Sequence, residues 1–173
     1  MPVIIFVCAA VLVGLDQFFK YLAVTNLKPV HDVPLIQGWL HLTYEENRGA
    51  AFGILANARW VFISISIILV IAAVILVILK KADHPMSQTA AALIIAGGIG
   101  NLIDRISAGY VVDYINVEII NFAVFNFADM CVCIGAVLLA WYVLFVHGRE
   151  DALQGKGKSK SYGERVYKNP GDK

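Results

Sequence analysis

Charge is what this chain most lacks. Its 173 residues carry 14 Lys and Arg against 13 Asp and Glu; 16% are charged and 59% are hydrophobic. Soluble domains run nearer a quarter charged, so the composition excludes an ordinary soluble fold. A formal net charge of +1 leaves no basic footprint for nucleic acid. Cysteine is scarce too. Cys8, Cys131 and Cys133 all lie in apolar runs, and an odd number so placed argues against a disulfide framework and for small buried side chains. His31, His41, His84 and His147 are scattered, with no His-Glu-x-x-His, so the zinc-peptidase pattern is missing. We expect no metal and no cofactor. No internal repeat is evident. The start, Met1-Pro2-Val3, has no basic region, and Val7 before Cys8 is not a small residue. The first apolar run therefore reads as a retained span rather than a cleaved leader.

What is present is four long apolar runs, at about 3–24, 60–79, 86–106 and 127–146. Each is near the 20 residues needed to cross a bilayer. The expected fold is an all-α membrane protein, four transmembrane helices with a small extracytoplasmic β-sheet between helices 1 and 2. Residues 1–148 form the membrane domain; 149–173 are a basic, disordered cytoplasmic tail. Lys80 and Lys81 follow the second run, and Arg149, Lys156, Lys158, Lys160, Arg165, Lys168 and Lys173 follow the fourth. The excess of Lys and Arg on one side puts both termini in the cytoplasm. Segments of about 25–59 and 107–126 then face outward. Trp39 to Tyr44 alternates in character and reads as strand; Glu45-Glu46-Asn47-Arg48-Gly49 reads as a turn. The tail's bases could touch anionic lipid, although solvation explains them equally well.

Within this apolar background the polar residues stand out. Asp113 ends Gly109-Tyr110-Val111-Val112-Asp113, and Asp129 ends Phe125-Asn126-Phe127-Ala128-Asp129. A carboxylate facing hydrocarbon costs roughly 2.5–3.5 kcal/mol on insertion scales, so such groups face a protein interior or a wet cavity. Asp16 and Lys20 sit at i and i+4, on one helix face, and read as an internal ion pair. Asn47 could donate to a peptide backbone, and Gly49 would let that backbone approach. Asn101, Asp104 and Arg105 share a face near the end of the third run. Arg105 could bind substrate carbonyls or anchor Asp104. Asn126 precedes Asp129 by three residues and could orient a carboxylate or a water.

Five stretches, in order, carry a resemblance. They are Asp16-Gln17-x-x-Lys20, Glu46-Asn47-x-Gly49-Ala50-Ala51-Phe52-Gly53, Gly100-Asn101-Leu102-x-Asp104-Arg105, Val111-Val112-Asp113 and Phe125-Asn126-x-Ala128-Asp129. Together they resemble lipoprotein signal peptidase (signal peptidase II), the membrane aspartyl peptidase of bacteria. The resemblance covers residues 16 to 129 and leaves the tail uncovered. It implies that Asp113 and Asp129 are a catalytic dyad. It implies that Asn47, Gly49, Asn101, Arg105 and Asn126 shape the substrate site, and that Asp16 and Lys20, with Asp104, support it. The implied substrates are prolipoproteins, cut just before a cysteine that already carries diacylglycerol. The implied place is the bacterial inner membrane, with the site near its outer face, and nothing requires more than a monomer.

Two adjacent carboxylates cannot both ionise cheaply, so such a pair holds one proton between them. The ionised member would activate a water and the protonated member would polarise the scissile amide; which one starts protonated is left open by the sequence. The rival reading is a small ion or proton transporter, whose signature is also intramembrane Asp, Lys and Arg. It calls for mid-membrane carboxylates and a repeat. A serine–lysine peptidase would need Lys20 beside Ser64 or Ser66, which have no supporting motif.

Overall fold

The computed structural model describes residues 2–49, 58–79, 84–120 and 122–147. Helix α1 covers Pro2–Leu22 and runs on through a π-helical turn, Ala23–Leu27. Helices α2 (Arg59–Ile78), α3 (Pro85–Ser107) and α4 (Phe127–Trp141) follow; α4 also ends in a π-helical turn, Tyr142–His147. All four are long and apolar enough to cross a membrane.

Helix α3 is the hub, the most buried of the four. Lipid tails are as apolar as leucine, so helices associate in a bilayer through close packing of small residues rather than hydrophobic transfer. The sequence supplies these on α3 as Ala90, Ala91, Ala92, Ala96, Gly97 and Gly100, all buried. A β-carbon on Gly97 would overlap the Ala128 carbonyl oxygen of α4, and one on Gly98 would sit 2.6 Å from Val70 Cγ2 of α2. Helices α1, α2 and α4 each pack along α3, and α2 and α4 do not pack extensively on each other. Ile5 and Ala9 of α1, Ala73 and Val77 of α2, and Ala91 and Ile95 of α3 close the core. Large side chains such as Ile68, Ile71 and Val137 stay exposed, as apolar residues can where a helix meets hydrocarbon.

The sheet lies at the end of the bundle where α1 and α3 finish and α2 and α4 begin. It is antiparallel, in the order β1 (Asp32–Ile36), β2 (Leu40–Asn47), β3 (Val111–Val117). Two expectations need correction. The sheet is not confined to the segment between helices 1 and 2, because its third strand comes from between α3 and α4. Glu45 to Asn47 is not a turn; these residues continue β2, with Glu45 opposite Asp113 and Asn47 opposite Val111. Glu and Asn have poor strand propensity, and here pairing with a strand more than sixty residues away overrides it. The correction matters for the site, because Asp113 is held in a strand rather than a free loop.

At the other end of the bundle His84 caps α3, its Nδ1 accepting from Met86 N at 3.1 Å, and stacks on Tyr142 of the last turn of α4. The stretch Ala50 to Gly53, Lys80 and Lys81, and the tail from 149 lie outside the described residues.

Candidate active site

All ten residues picked from the sequence, nine polar side chains and Gly49, meet at the sheet end of the bundle, in two layers. The rear layer is centred on Lys20. Its ammonium reaches Asp16 Oδ2 at 2.9 Å, Asp104 Oδ2 at 2.9 Å and Asn101 Oδ1 at 3.0 Å. A lysine has three donors, and all three are used. Asp16 Oδ1 accepts from Ala128 N of α4 at 3.0 Å, and Asp104 Oδ2 accepts from Val112 N of β3 at 3.2 Å. Gln17 donates to Asp104 Oδ1 at 3.1 Å and to the Gly100 carbonyl at 3.2 Å. The expected Asp16–Lys20 pair is therefore present, and larger than expected. Arg105 does not anchor Asp104, whose carboxylate is taken by Lys20, Gln17 and Val112. Asp16 and Lys20 are 1% and 3% exposed; charges so deeply placed persist only when fully paired.

The front layer holds the two aspartates, and its geometry follows from the rear. Lys20 can only donate, so Asn101 must turn its oxygen toward Lys20. Its Nδ2 then faces Asp129, donating to Oδ1 at 2.7 Å. Asn126 is fixed by the same logic. It is the N-cap of α4: its Oδ1 accepts from Asp129 N at 2.9 Å, and its own N–H donates to Asp129 Oδ2 at 3.1 Å. This reciprocal pair is a capping box. With its oxygen so used, the Asn126 amide nitrogen donates to Asp113 Oδ1 at 2.6 Å and to Asn101 Oδ1 at 3.2 Å. One fully buried asparagine thus holds both aspartates. Asn47 of β2 donates to Asp113 Oδ2 at 2.8 Å, while its own oxygen accepts from Gly49 N at 2.9 Å.

The two carboxyls differ in setting. Asp113 is 1% exposed. Burial, and after it the nearby charge of Asp129, pushes its carboxyl up to about 7; the Asn47 and Asn126 hydrogen bonds work the other way. Asp129 is half-buried and lines a groove of about 420 Å³. Asn47, Gly49, Phe62, Arg105, Val124 and Met130 also line it. A smaller lobe of about 180 Å³ continues between α2 and α4, floored by Gly97 and Gly98 of α3. Arg105, Asp129 and Cys133 line both lobes. Arg105 is held over the Phe62 ring, 5.2 Å from its centroid, and donates to the Asn101 carbonyl at 3.5 Å. Gln17, Tyr114 (its OH accepting from Phe127 N at 3.3 Å) and the groove wall at 122–125 were not singled out by sequence reading. Gln17 carried a signal, its place between Asp16 and Lys20; the others carried none.

Four apolar helices around two amide-clamped aspartates at the head of a groove fit a membrane peptidase of the aspartic type. The chain belongs to the signal peptidase II family, whose model, described as "Signal peptidase (SPase) II", matches residues 8–145. It is 42% identical over 146 residues to a lipoprotein signal peptidase of Brevibacillus brevis, covering 84% of this chain and 97% of that protein. It is 44% identical over 138 residues to one from Clostridioides difficile, covering 80% of this chain and 93% of the other. A solved bacterial membrane enzyme, determined in meso at 2.3 Å, superposes with a TM-score of 0.75 at 36% identity, over 81% of this chain and 87% of that one. None of these relatives favours the transporter reading.

Proposed function

We propose that this protein removes the signal peptide from lipid-modified prolipoproteins in the bacterial inner membrane, with Asp113 and Asp129 as its catalytic pair. The observation that carries the reading is the shared clamp: Asn126 contacts both carboxyls, Asn101 holds Asp129 and Asn47 holds Asp113. Rigid, preorganised placement of this kind is what general acid–base chemistry needs.

With its carboxyl pushed up to about 7, Asp113 is the member that carries the proton below that pH, and Asp129, open to the groove, is placed to act as the base. Asp129 takes a proton from a water whose oxygen attacks the scissile carbonyl. Asp113 gives its proton to that carbonyl oxygen, and a tetrahedral gem-diol results with no covalent bond to the enzyme. Collapse breaks the C–N bond. The amine leaves with the proton from Asp129, and a gem-diol proton returns to Asp113. The products are the signal peptide's carboxyl end and a new amino terminus on the lipid-bearing cysteine. Arg105, at the junction of the two lobes, donates to substrate carbonyls, and Gly49 lets the substrate main chain approach.

The lateral cleft between α2 and α4 receives the apolar signal segment. From Ile94 to Arg105 its α3 floor rises about 16 Å, roughly half of a hydrocarbon core. A membrane-held substrate thus slides to the carboxylates without leaving lipid. The Lys and Arg distribution supports cytoplasmic termini and a site near the outer face, and nothing in the proposal needs a second copy. The test is cleavage of a diacylglyceryl-modified precursor by purified protein, with loss of cleavage in Asp113→Asn and Asp129→Asn.

A further inference from the structure

The groove wall at residues 122–125 leaves one main-chain position, Val124, without a partner among the described residues. Phe125 bridges Ile115 of β3 in antiparallel fashion. Ile115 N donates to Phe125 O at 2.8 Å, and Phe125 N donates to Ile115 O at 3.0 Å. The segment is thus a rudimentary fourth strand beyond β3. In an antiparallel ladder, a residue that spends both its N–H and C=O on one neighbour is flanked by residues whose groups point the opposite way. Asn126 obeys this, being extended (φ −132°, ψ −179°) and sending its N–H to Asp129 Oδ2. The free side of the segment is therefore the side that holds Asp129. Val124, on that same side by alternation, lines the groove. Neither its N–H nor its C=O has a partner among the described residues.

Unpaired backbone groups are costly when half-buried in a membrane protein, and an open strand edge is a template for another strand. We infer that Val124 pairs through its main chain with an extended stretch of the substrate. The substrate is added as a strand at the sheet's edge and delivered to Asp129. This rests on the proposed peptidase function and deepens it: substrate recognition is read through backbone as well as side chains. The register follows from strand geometry. Val124 N lies about 7 Å along the strand from Asn126 N, whose N–H marks Asp129. The substrate residue paired with Val124 is then about two positions from the scissile bond, and that residue must be extended even if the signal segment beyond it is helical.

The experiment uses full-length enzyme and synthetic diacylglyceryl-cysteine peptides. A single amide-to-ester replacement is walked through the three residues on either side of the cleaved bond, always sparing that bond. An ester deletes one N–H donor and leaves the side chains alone. Cleavage of the all-amide peptide by wild type tests the proposed function by itself; the ester profile tests the strand. The expected profile has one position, about two residues from the bond, where the ester lowers kcat/KM about tenfold, with the other positions within about twofold. Val124→Pro keeps the carbonyl that accepts the substrate N–H but lacks the N–H that donates back to the substrate carbonyl, so it lowers kcat/KM on the all-amide peptide about tenfold; Val124→Ala leaves it within about twofold. A flat profile, or a uniform loss at every position, overturns the inference. So does a folded Val124→Pro that cleaves the all-amide peptide as fast as wild type. If Val124→Pro does not fold, the ester profile on wild type decides alone.

Discussion

Lys20→Met isolates the rear layer of the site. The substitution keeps most of the side chain's length and removes the cation that faces Asp16, Asp104 and the Asn101 oxygen at 2.9, 2.9 and 3.0 Å. Two buried carboxylates are then left without their counter-ion. Breaking a buried pair by removing one partner typically costs about 3–5 kcal/mol. At about 2–4 °C per kcal/mol for a chain of this size, the expected fall in melting temperature is about 6–20 °C. There is a second consequence. Without Lys20, the Asn101 oxygen keeps only the Asn126 donor at 3.2 Å, so its amide is held less firmly toward Asp129, and cleavage should fall even in the folded fraction. The assays are thermal unfolding in detergent and kcat/KM on a lipidated precursor at a temperature where both proteins are folded. Lys20→Met combined with Asp104→Asn should recover part of the stability, since one of the two stranded charges is gone. A Lys20→Met protein that melts within about 2 °C of wild type and cleaves normally would refute the network's role.

Three further outcomes are expected. Gly97→Ala should destabilise by about 1–3 kcal/mol or more, because its β-carbon would meet the backbone carbonyl of Ala128, whereas Gly14, with nothing within 4 Å, should tolerate Ala or gain from it; melting curves compare them. Cleavage should fall as pH rises through about 7, where Asp113 loses its proton. The same group affects stability with a definite sign: its folded pKa lies above the unfolded 3.8, so its contribution is complete below about 3.8 and lost as pH rises through about 7, and melting temperature should drop over that window in wild type with less dependence in Asp113→Asn. Asn126→Ala should lose about 0.5–2 kcal/mol for the helix cap and nearly all activity, since the same side chain holds Asp113; a circular-dichroism melt and the cleavage assay separate the two effects.

The parts of the fold that were legible are those set by local sequence. Twenty-residue apolar runs fix the spans to within a few residues, because the bilayer imposes a length on any helix that crosses it. Asp16 and Lys20 were readable as a pair because i and i+4 share a face. Asn126 and Asp129 were readable as neighbours on a starting helix, and the structure adds that they form its capping box. What stayed hidden depends on distant partners. Val111–Val117 is a strand because β2 lies beside it, and no local signal marks that pairing. Arg105 could have anchored adjacent Asp104 or reached substrate, but successive helix positions diverge by about 100°, and Asp104 turns toward Lys20, 84 positions earlier. The dual use of Asn126 and Asn101 likewise exists only once three helices meet.

The measurement that tests the central claim most directly is a gel-shift cleavage assay on purified wild type, Asp113→Asn and Asp129→Asn. It uses a diacylglyceryl-modified precursor and the same precursor without lipid, with a chelator throughout. The account predicts that wild type cuts only the lipidated form, unaffected by chelator, and that both variants fold but cut neither. Wild-type turnover by either asparagine variant, or cleavage abolished by the chelator, would contradict it.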